Sequence, residues 1–337
     1  GGGFAIPMKT IGLVELARIA GVHVSTVSRA LDDNPRVSAK TKTRIRALAE
    51  EHGFRLNQTA SFFRKRRTGA VGVVFPLGHE VQQSLSDPFF MGLLGPLADA
   101  LAEQGYDLLL SRVVPGDESW LENMVLSGRV DGIILIGQSD QTDVIEGVAK
   151  QFAPLVVWGA HRPDLAQITV GTDNLSGGEM AARHLITIGR RRLAFLGDPT
   201  VPEFADRYAG FHRAIGRAAE VEEILLPLHL TDQDAYQDMA RYLEGHASPD
   251  GIFAASDVIA MSAMRAVADQ GLRVPQDVSI VGYDDISISA HTVPPLTTVR
   301  QDMRSGARLL VDLLMRRMGG ETVSSVAMKP ELILRGS

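Results

Sequence analysis

Apolar residues recur at helical spacing three times near the start of the chain. Leu13, Leu16, Ala17 and Ala20 form one stripe, ended by Gly21, and Val24, Val27, Ala30 and Leu31 form a second. Ser38 is placed to cap a third helix, with Ile45, Leu48 and Ala49 on its inner face and Gly53 at its stop. Only Gly21-Val22-His23 separates the first two stripes. Gly21 permits the tight turn and Val22 plugs the small core, which predicts a helix-turn-helix.

From Ala70 the pattern changes to short β-rich apolar runs alternating with amphipathic helices. The runs are 71–75, 106–110, 130–136, 155–158, 193–196, 251–254 and 278–281, with helices such as 89–104, 175–188 and 258–270 between them. Such alternation predicts parallel sheets covered on both faces by helices, enough for two Rossmann-like lobes with ligand at the strands' carboxyl ends.

At 337 residues the chain suits two or three folding units, and no apolar run is long enough to span a membrane. It has no cysteine, which rules out disulfides and thiolate metal sites and fits a cytoplasmic protein, expected at the nucleoid only when bound to DNA. Residues 1–7 read as an added leader before Met8, without the basic and apolar regions of a secretory signal. The net charge of -6 hides an asymmetry. Met8 to Gly69 carries +8, leaving -14 on the rest. A basic head on an acidic body points to a polyanion contacted by the head alone, against the plainer reading of a solvated charged face.

The run Leu16 to Leu31, LARIAGVHVSTVSRAL, followed by Val37-Ser38-Ala39-Lys40-Thr41, resembles the headpiece of the lactose/galactose-repressor family, and the resemblance continues through most of the chain. It implies an N-terminal all-α helix-turn-helix headpiece (8–56), a hinge helix (57–69), and an α/β two-lobed periplasmic-binding-protein-like effector domain (70–337). Lobe one would take about 70–170 and 300–329, and lobe two about 171–299 and 330–337. Further landmarks are Asp173-Asn174, Arg207-Tyr208-Ala209-Gly210-Phe211, Ser256-Asp257, Gly282-Tyr283-Asp284-Asp285 and Pro294-Pro295-Leu296. The family's hinge pattern Asn-x-x-Ala-x-x-Leu forms a helix on operator DNA and wedges leucine into the minor groove. Asn57 and Ala60 fit, whereas Phe63 stands at the wedge. A phenyl ring can unstack a base step, or Phe62 and Phe63 pack onto the body. Arg64 to Arg67 make a phosphate-binding run.

On a recognition helix in the major groove, N-terminal residues face base edges. Val24 then offers an apolar surface to a thymine methyl, or serves only in packing, and Ser25 offers a donor and an acceptor. Arg29 has the fork for guanine or phosphate, while Thr26 and Ser28 suit phosphates. His23 stands where the family usually has a serine cap, and an imidazole caps less well.

Sugars need planar polar groups for paired hydroxyls and an aromatic face for the ring's C–H surface. Arg207, read as standing just before a helix with little else to pair with, resembles the family arginine that grips hydroxyls. Asp284 ends a strand and can accept two hydroxyl protons, or cap local backbone. Ser256 replaces a common asparagine, and Asp257 is expected to cap its helix. Asp87, Phe89, Trp158 and Gln301 complete the candidates, with Trp158 alternatively plain core.

Three functions compete. The first is a dimeric repressor or activator on a near-palindromic double-stranded operator, controlled by a small ligand, expected to be a mono- or disaccharide; nucleobases, nucleosides or a phosphoprotein are alternatives. The second is a sugar-binding module without a DNA role, disfavoured by the basic head. The third is an enzyme. No Gly-x-Gly-x-x-Gly turn, P-loop or nucleophile elbow is present and the histidines are scattered, so no catalysis, cofactor or metal is expected. A tetramerising coiled coil would need heptads after residue 330, and the expectation is a homodimer.

Overall fold

The structure, a computed structural model, describes residues 12–31, 33–52, 54, 67–76, 87–113, 116–228 and 232–337. The chain divides into two compact units, residues 1–67 and 68–337.

The first unit holds α1 (Leu13–Ala20), α2 (Val24–Leu31) and α3 (Ala39–Glu51). Leu16, Ala20, Val27, Ala30 and Ile45 are buried together, and Val22 and Val24 pack partly buried against them. Gly21 takes the left-handed conformation, φ 64°, so its amide reaches the Arg18 carbonyl and that of Val22 reaches Ala17. No Cβ-bearing residue turns there without strain. Ser38 caps α3, its Oγ accepting the Thr41 amide at 3.3 Å. The expected stop at Gly53 lies outside the described residues; α3 ends at Glu51, with His52 at the cap.

The second unit carries two six-stranded sheets. The first has the order β11-β5-β4-β3-β1-β2, from β1 (Ala70–Pro76), β2 (Asp107–Val113), β3 (Gly132–Ile136), β4 (Leu155–Trp158), β5 (Ile168–Thr172) and β11 (Val326–Met328). The second has the order β12-β10-β9-β8-β6-β7, from β6 (Arg192–Leu196), β7 (Glu222–Leu226), β8 (Gly251–Ala254), β9 (Ser279–Asp284), β10 (Thr297–Arg300) and β12 (Glu331–Ile333). All recorded pairings are parallel except β10 with β12. Central strands such as β3 and β8 are buried at every residue, because helices cover both faces, whereas β2 and β7 are edges with exposed positions.

The first lobe's helices are α4 (Pro88–Glu103), α5 (Trp120–Leu126) and α6 (Thr142–Ala149), joined by α11 (Met303–Met318) from late in the chain. The second lobe has α7 (Asn174–Thr187), α8 (Pro202–Ile215), α9 (Asp232–Gly245) and α10 (Asp257–Asp269). The chain passes between lobes after β5, after β10 and after β11. Phe195, Phe211, Phe253 and Tyr283 centre one core; Val73, Leu97, Ile134 and Leu310 belong to the other. Among the described residues no helix is long and apolar enough to cross a membrane.

Candidate functional site

The headpiece presents α2 as its polar face. Val27 and Ala30 point into the core, which turns Ser25, Thr26, Ser28 and Arg29 outward; Arg29 is exposed and the other three are half-buried. Val24 is half-buried on the core, so it packs as well as presenting surface. His23 caps in the weaker way expected of an imidazole, through a long bond to one helix amide. His23 Nδ1 accepts the Ser25 amide at 3.3 Å and lies 2.8 Å from Ser25 Oγ, while its carbonyl accepts the Thr26 and Val27 amides. The imidazole therefore serves as the N-cap and also orients Ser25. Asp33 holds Lys42 and Arg46 of α3 at 3.0 and 3.1 Å, and Arg44 donates to the Ala20 carbonyl, which ties the third helix to the first. The hinge candidates Asn57, Ala60, Phe63 and Arg64 lie outside the described residues.

In the second unit, all seven cleft candidates line one cavity of about 130 Å³. Asp87, Phe89 and Trp158 come from lobe one, Arg207, Ser256 and Asp284 from lobe two, and Gln301 from the crossover after β10. The walls differ in character. Phe89 and Trp158 approach with ring centroids 6.0 Å apart, and Phe90 packs at 5.9 Å from Phe89, making an aromatic wall on lobe one. Trp158 is 3% exposed yet lines the cavity, so it is both core and wall.

The polar wall belongs mainly to lobe two. Arg207 does not precede a helix: Pro202 starts α8, and Arg207 sits on its second turn. Nor is it short of partners. Its Nε donates to Asn174 Oδ1 at 2.9 Å, its Nη1 to the Ala255 carbonyl at 2.6 Å, and the guanidinium lies 3.8 Å from the Tyr283 ring centroid. These contacts fix the fork on the lobe-two wall. Asp284 ends β9 with φ 119° and Asp285 follows at φ 55°; non-glycine residues in this region cost on the order of 1–3 kcal/mol each. The strained turn aims Asp284 into the cavity, where Oδ1 accepts Gln301 Nε2 at 2.7 Å. Burial holds the Asp284 carboxyl well above the usual range, with Arg207 opposing.

Ser256 lines the cavity as expected and also takes the cap expected of Asp257. Ser256 Oγ caps α10 by accepting the Ile259 amide at 3.2 Å, leaving its own hydrogen to donate. Asp257 does not cap. It is fully buried and accepts the Ile286 amide at 2.9 Å and the Ser289 and Thr298 hydroxyls at 2.6 Å each. It thereby clamps the segment after β9 to β10, and burial pushes its carboxyl up to about 6. Asp87 caps α4 by accepting the Phe89 amide at 2.9 Å.

The sequence reading missed Glu203, which also lines the cavity. It stands one helical turn before Arg207 on α8, so the i, i+4 relation would have placed it on the same face. Arg162 of lobe one and Asp206 of lobe two meet in a bidentate pair at 2.9 and 3.1 Å, joining the lobes beside the cleft. Among the described residues no group of three His, Asp or Glu side chains converges as a metal site.

The whole arrangement has known counterparts. Residues 12–57 match the family described as bacterial regulatory proteins, lacI family, and residues 182–337 match the periplasmic binding protein-like domain. The HTH-type transcriptional regulator CelR of Thermobifida fusca is 30% identical over 330 residues, covering 96% of this chain and 96% of that protein. Two solved structures cover 97% of this chain and 99% of their own. One is a transcriptional regulator CelR-cellobiose complex (29% identity, TM-score 0.69), and the other is the lac repressor dimer bound to operator and the anti-inducer ONPF (26%, 0.80). These relatives are transcriptional regulators, not enzymes. With the likeness running through headpiece and body alike, the chain belongs to the lacI family of bacterial regulatory proteins and is a helix-turn-helix DNA-binding transcriptional regulator under ligand control.

Proposed function

We propose that this regulator is a homodimeric repressor acting on a near-palindromic operator, and that a small carbohydrate bound between the lobes sets its operator affinity. Carrying the reading is the convergence of seven candidate side chains on one cavity with an aromatic wall facing an arginine and carboxylates. Such a pair of walls suits a pyranose, whose C–H face takes an aromatic ring while its hydroxyl edge takes planar donors and acceptors. The cellobiose in the similar CelR structure supports a carbohydrate.

Val24, Ser25 and Arg29 would read base edges, with Thr26 and Ser28 on phosphates. Asn57, Ala60, Phe63 and Arg64 would form the hinge contact, with Phe63 as the minor-groove wedge. Asp87, Phe89, Trp158, Arg207, Ser256, Asp284 and Gln301 would hold the ligand. Ligand would act by shifting the equilibrium between lobe arrangements, without catalysis, in a cytoplasmic protein that meets the nucleoid through its operator. A thermal-shift screen of mono- and disaccharides, headed by cellobiose, on the wild type and Arg207→Ala tests the site. A sugar that stabilises both proteins equally refutes it.

A further inference from the structure

The ionisable groups facing the cavity are mostly acidic. Among the described residues its charged lining is Asp87, Glu203, Asp284 and Arg207: three carboxyls to one guanidinium. Arg207 cannot readily turn to meet an anion, because Nε and Nη1 are held by Asn174 and the Ala255 carbonyl and the plane is stacked on Tyr283. The next cation along the cleft, Arg162, is already engaged on both nitrogens by Asp206.

Glu203 is the side chain best placed to act on this imbalance. It keeps some contact with the cleft solvent yet is enclosed by protein, and burial raises its carboxyl above the ordinary value while Arg207 opposes. It shares one face of α8 with Arg207, so a ligand gripped by the arginine meets Glu203 one turn away. A phosphate or carboxylate brought there would either face ionised carboxyls or have to hold them protonated, and either costs binding, while among the described residues lining the cavity Arg207 is the one Lys or Arg to receive it.

We propose that the cleft is built for a ligand without negative charge, an uncharged or amino-bearing sugar, and that Glu203 is the residue that rejects phosphorylated and acidic sugars. The inference rests on the carbohydrate reading above and narrows it to a chemical class. Selectivity here comes from a repulsive element as well as from attractive contacts.

The test is calorimetric titration of the full chain with matched probes. These are cellobiose and cellobiose 6'-phosphate; D-glucose, D-glucosamine, D-glucuronate and D-glucose 6-phosphate; and D-ribose and D-ribose 5-phosphate. The expected result is that the series that binds prefers its neutral or amino member over its phosphate by on the order of 100-fold. Glu203→Gln should cut that ratio about tenfold, and Glu203→Lys should bring it to one or below. Thermal unfolding of both variants establishes that they are folded, and Glu203→Ser serves in place of any that is not. A phosphorylated sugar that binds the wild type as tightly as its neutral parent overturns the inference and leaves the carbohydrate reading standing. A ratio unmoved by every Glu203 substitution removes the role of that residue. If no probe binds in any form, the carbohydrate reading itself falls and the inference with it.

Discussion

Arg207 is aimed by a helix crossing that tolerates no side chain, and Gly178→Ala tests whether that crossing matters. A Cβ at Gly178 of α7 would lie 1.9 Å from the Arg207 carbonyl oxygen and 2.8 Å from its carbonyl carbon. Gly210 of α8 is the counterpart, with a Cβ position 2.0 Å from the Leu175 carbonyl. Real Cβ contacts stay beyond about 3.0 Å, so α8 must retreat by roughly 1 Å or more at the residue that carries the guanidinium. That retreat carries the Arg207 bonds to Asn174 and Ala255, now 2.9 and 2.6 Å, past the hydrogen-bond limit. Overpacking of this kind costs about 3 kcal/mol, the upper end of the usual range, because the obstacle is backbone that cannot rotate away. Urea unfolding of the full chain should show that loss, and affinity for the cavity ligand should fall about tenfold or more. Gly147→Ala is the control. Nothing lies within 4 Å of its added Cβ on α6, so about 0.5–1 kcal/mol of stabilisation is expected. Gly178→Ala with wild-type stability and ligand affinity would refute the crossing as the device that places Arg207.

Three further outcomes follow from other contacts. Because burial raises the Asp257 carboxyl to about 6 in the folded chain, the folded state holds that proton more tightly than the unfolded. Its contribution is therefore complete below the unfolded value near 4 and is lost as pH rises through about 6, by about 3 kcal/mol. Urea curves for wild type and Asp257→Asn should converge or cross over that window, and parallel pH profiles would contradict the buried acid. His23→Ala should cost the start of α2 about 1 kcal/mol, seen as faster amide exchange at Ser25 and Thr26, while His23→Ser restores protection. Unchanged exchange would remove the imidazole cap. Arg29→Ala separates two roles: a guanine contact costs about 1–3 kcal/mol on one base pair, whereas a phosphate contact lowers the salt slope by about one for every sequence. No change in either would take Arg29 off the DNA.

Periodicity located the helices well where one face is apolar and a glycine or cap ends the stripe. The helices expected at 175–188 and 258–270 run 174–187 and 257–269. It was weaker for strands with little apolar signal of their own: β7, Glu222–Leu226, is an edge whose burial is partial, and β11 and β12 have three residues each. In the cleft, candidates at strand ends were legible because parallel α/β sheets direct those ends to the ligand crevice. What a linear reading does not carry is the choice between adjacent groups of similar chemistry. Ser256 and Asp257 are both good caps, and only packing decides that the hydroxyl caps while the carboxylate is buried against Ser289 and Thr298. Likewise the Pro202 helix start puts Arg207 on the second turn with Glu203 one turn earlier on the same face, a relation that the Arg207 landmark by itself does not carry.

The account stands on coupling between cleft and headpiece. The most direct measurement is fluorescence anisotropy of the full chain on a duplex selected from random sequence, with and without the sugar that the thermal screen identifies. The account predicts that saturating sugar changes the DNA dissociation constant by about tenfold or more, and that Arg207→Ala abolishes the response. A sugar that demonstrably occupies the cleft and leaves the DNA affinity unchanged would contradict it.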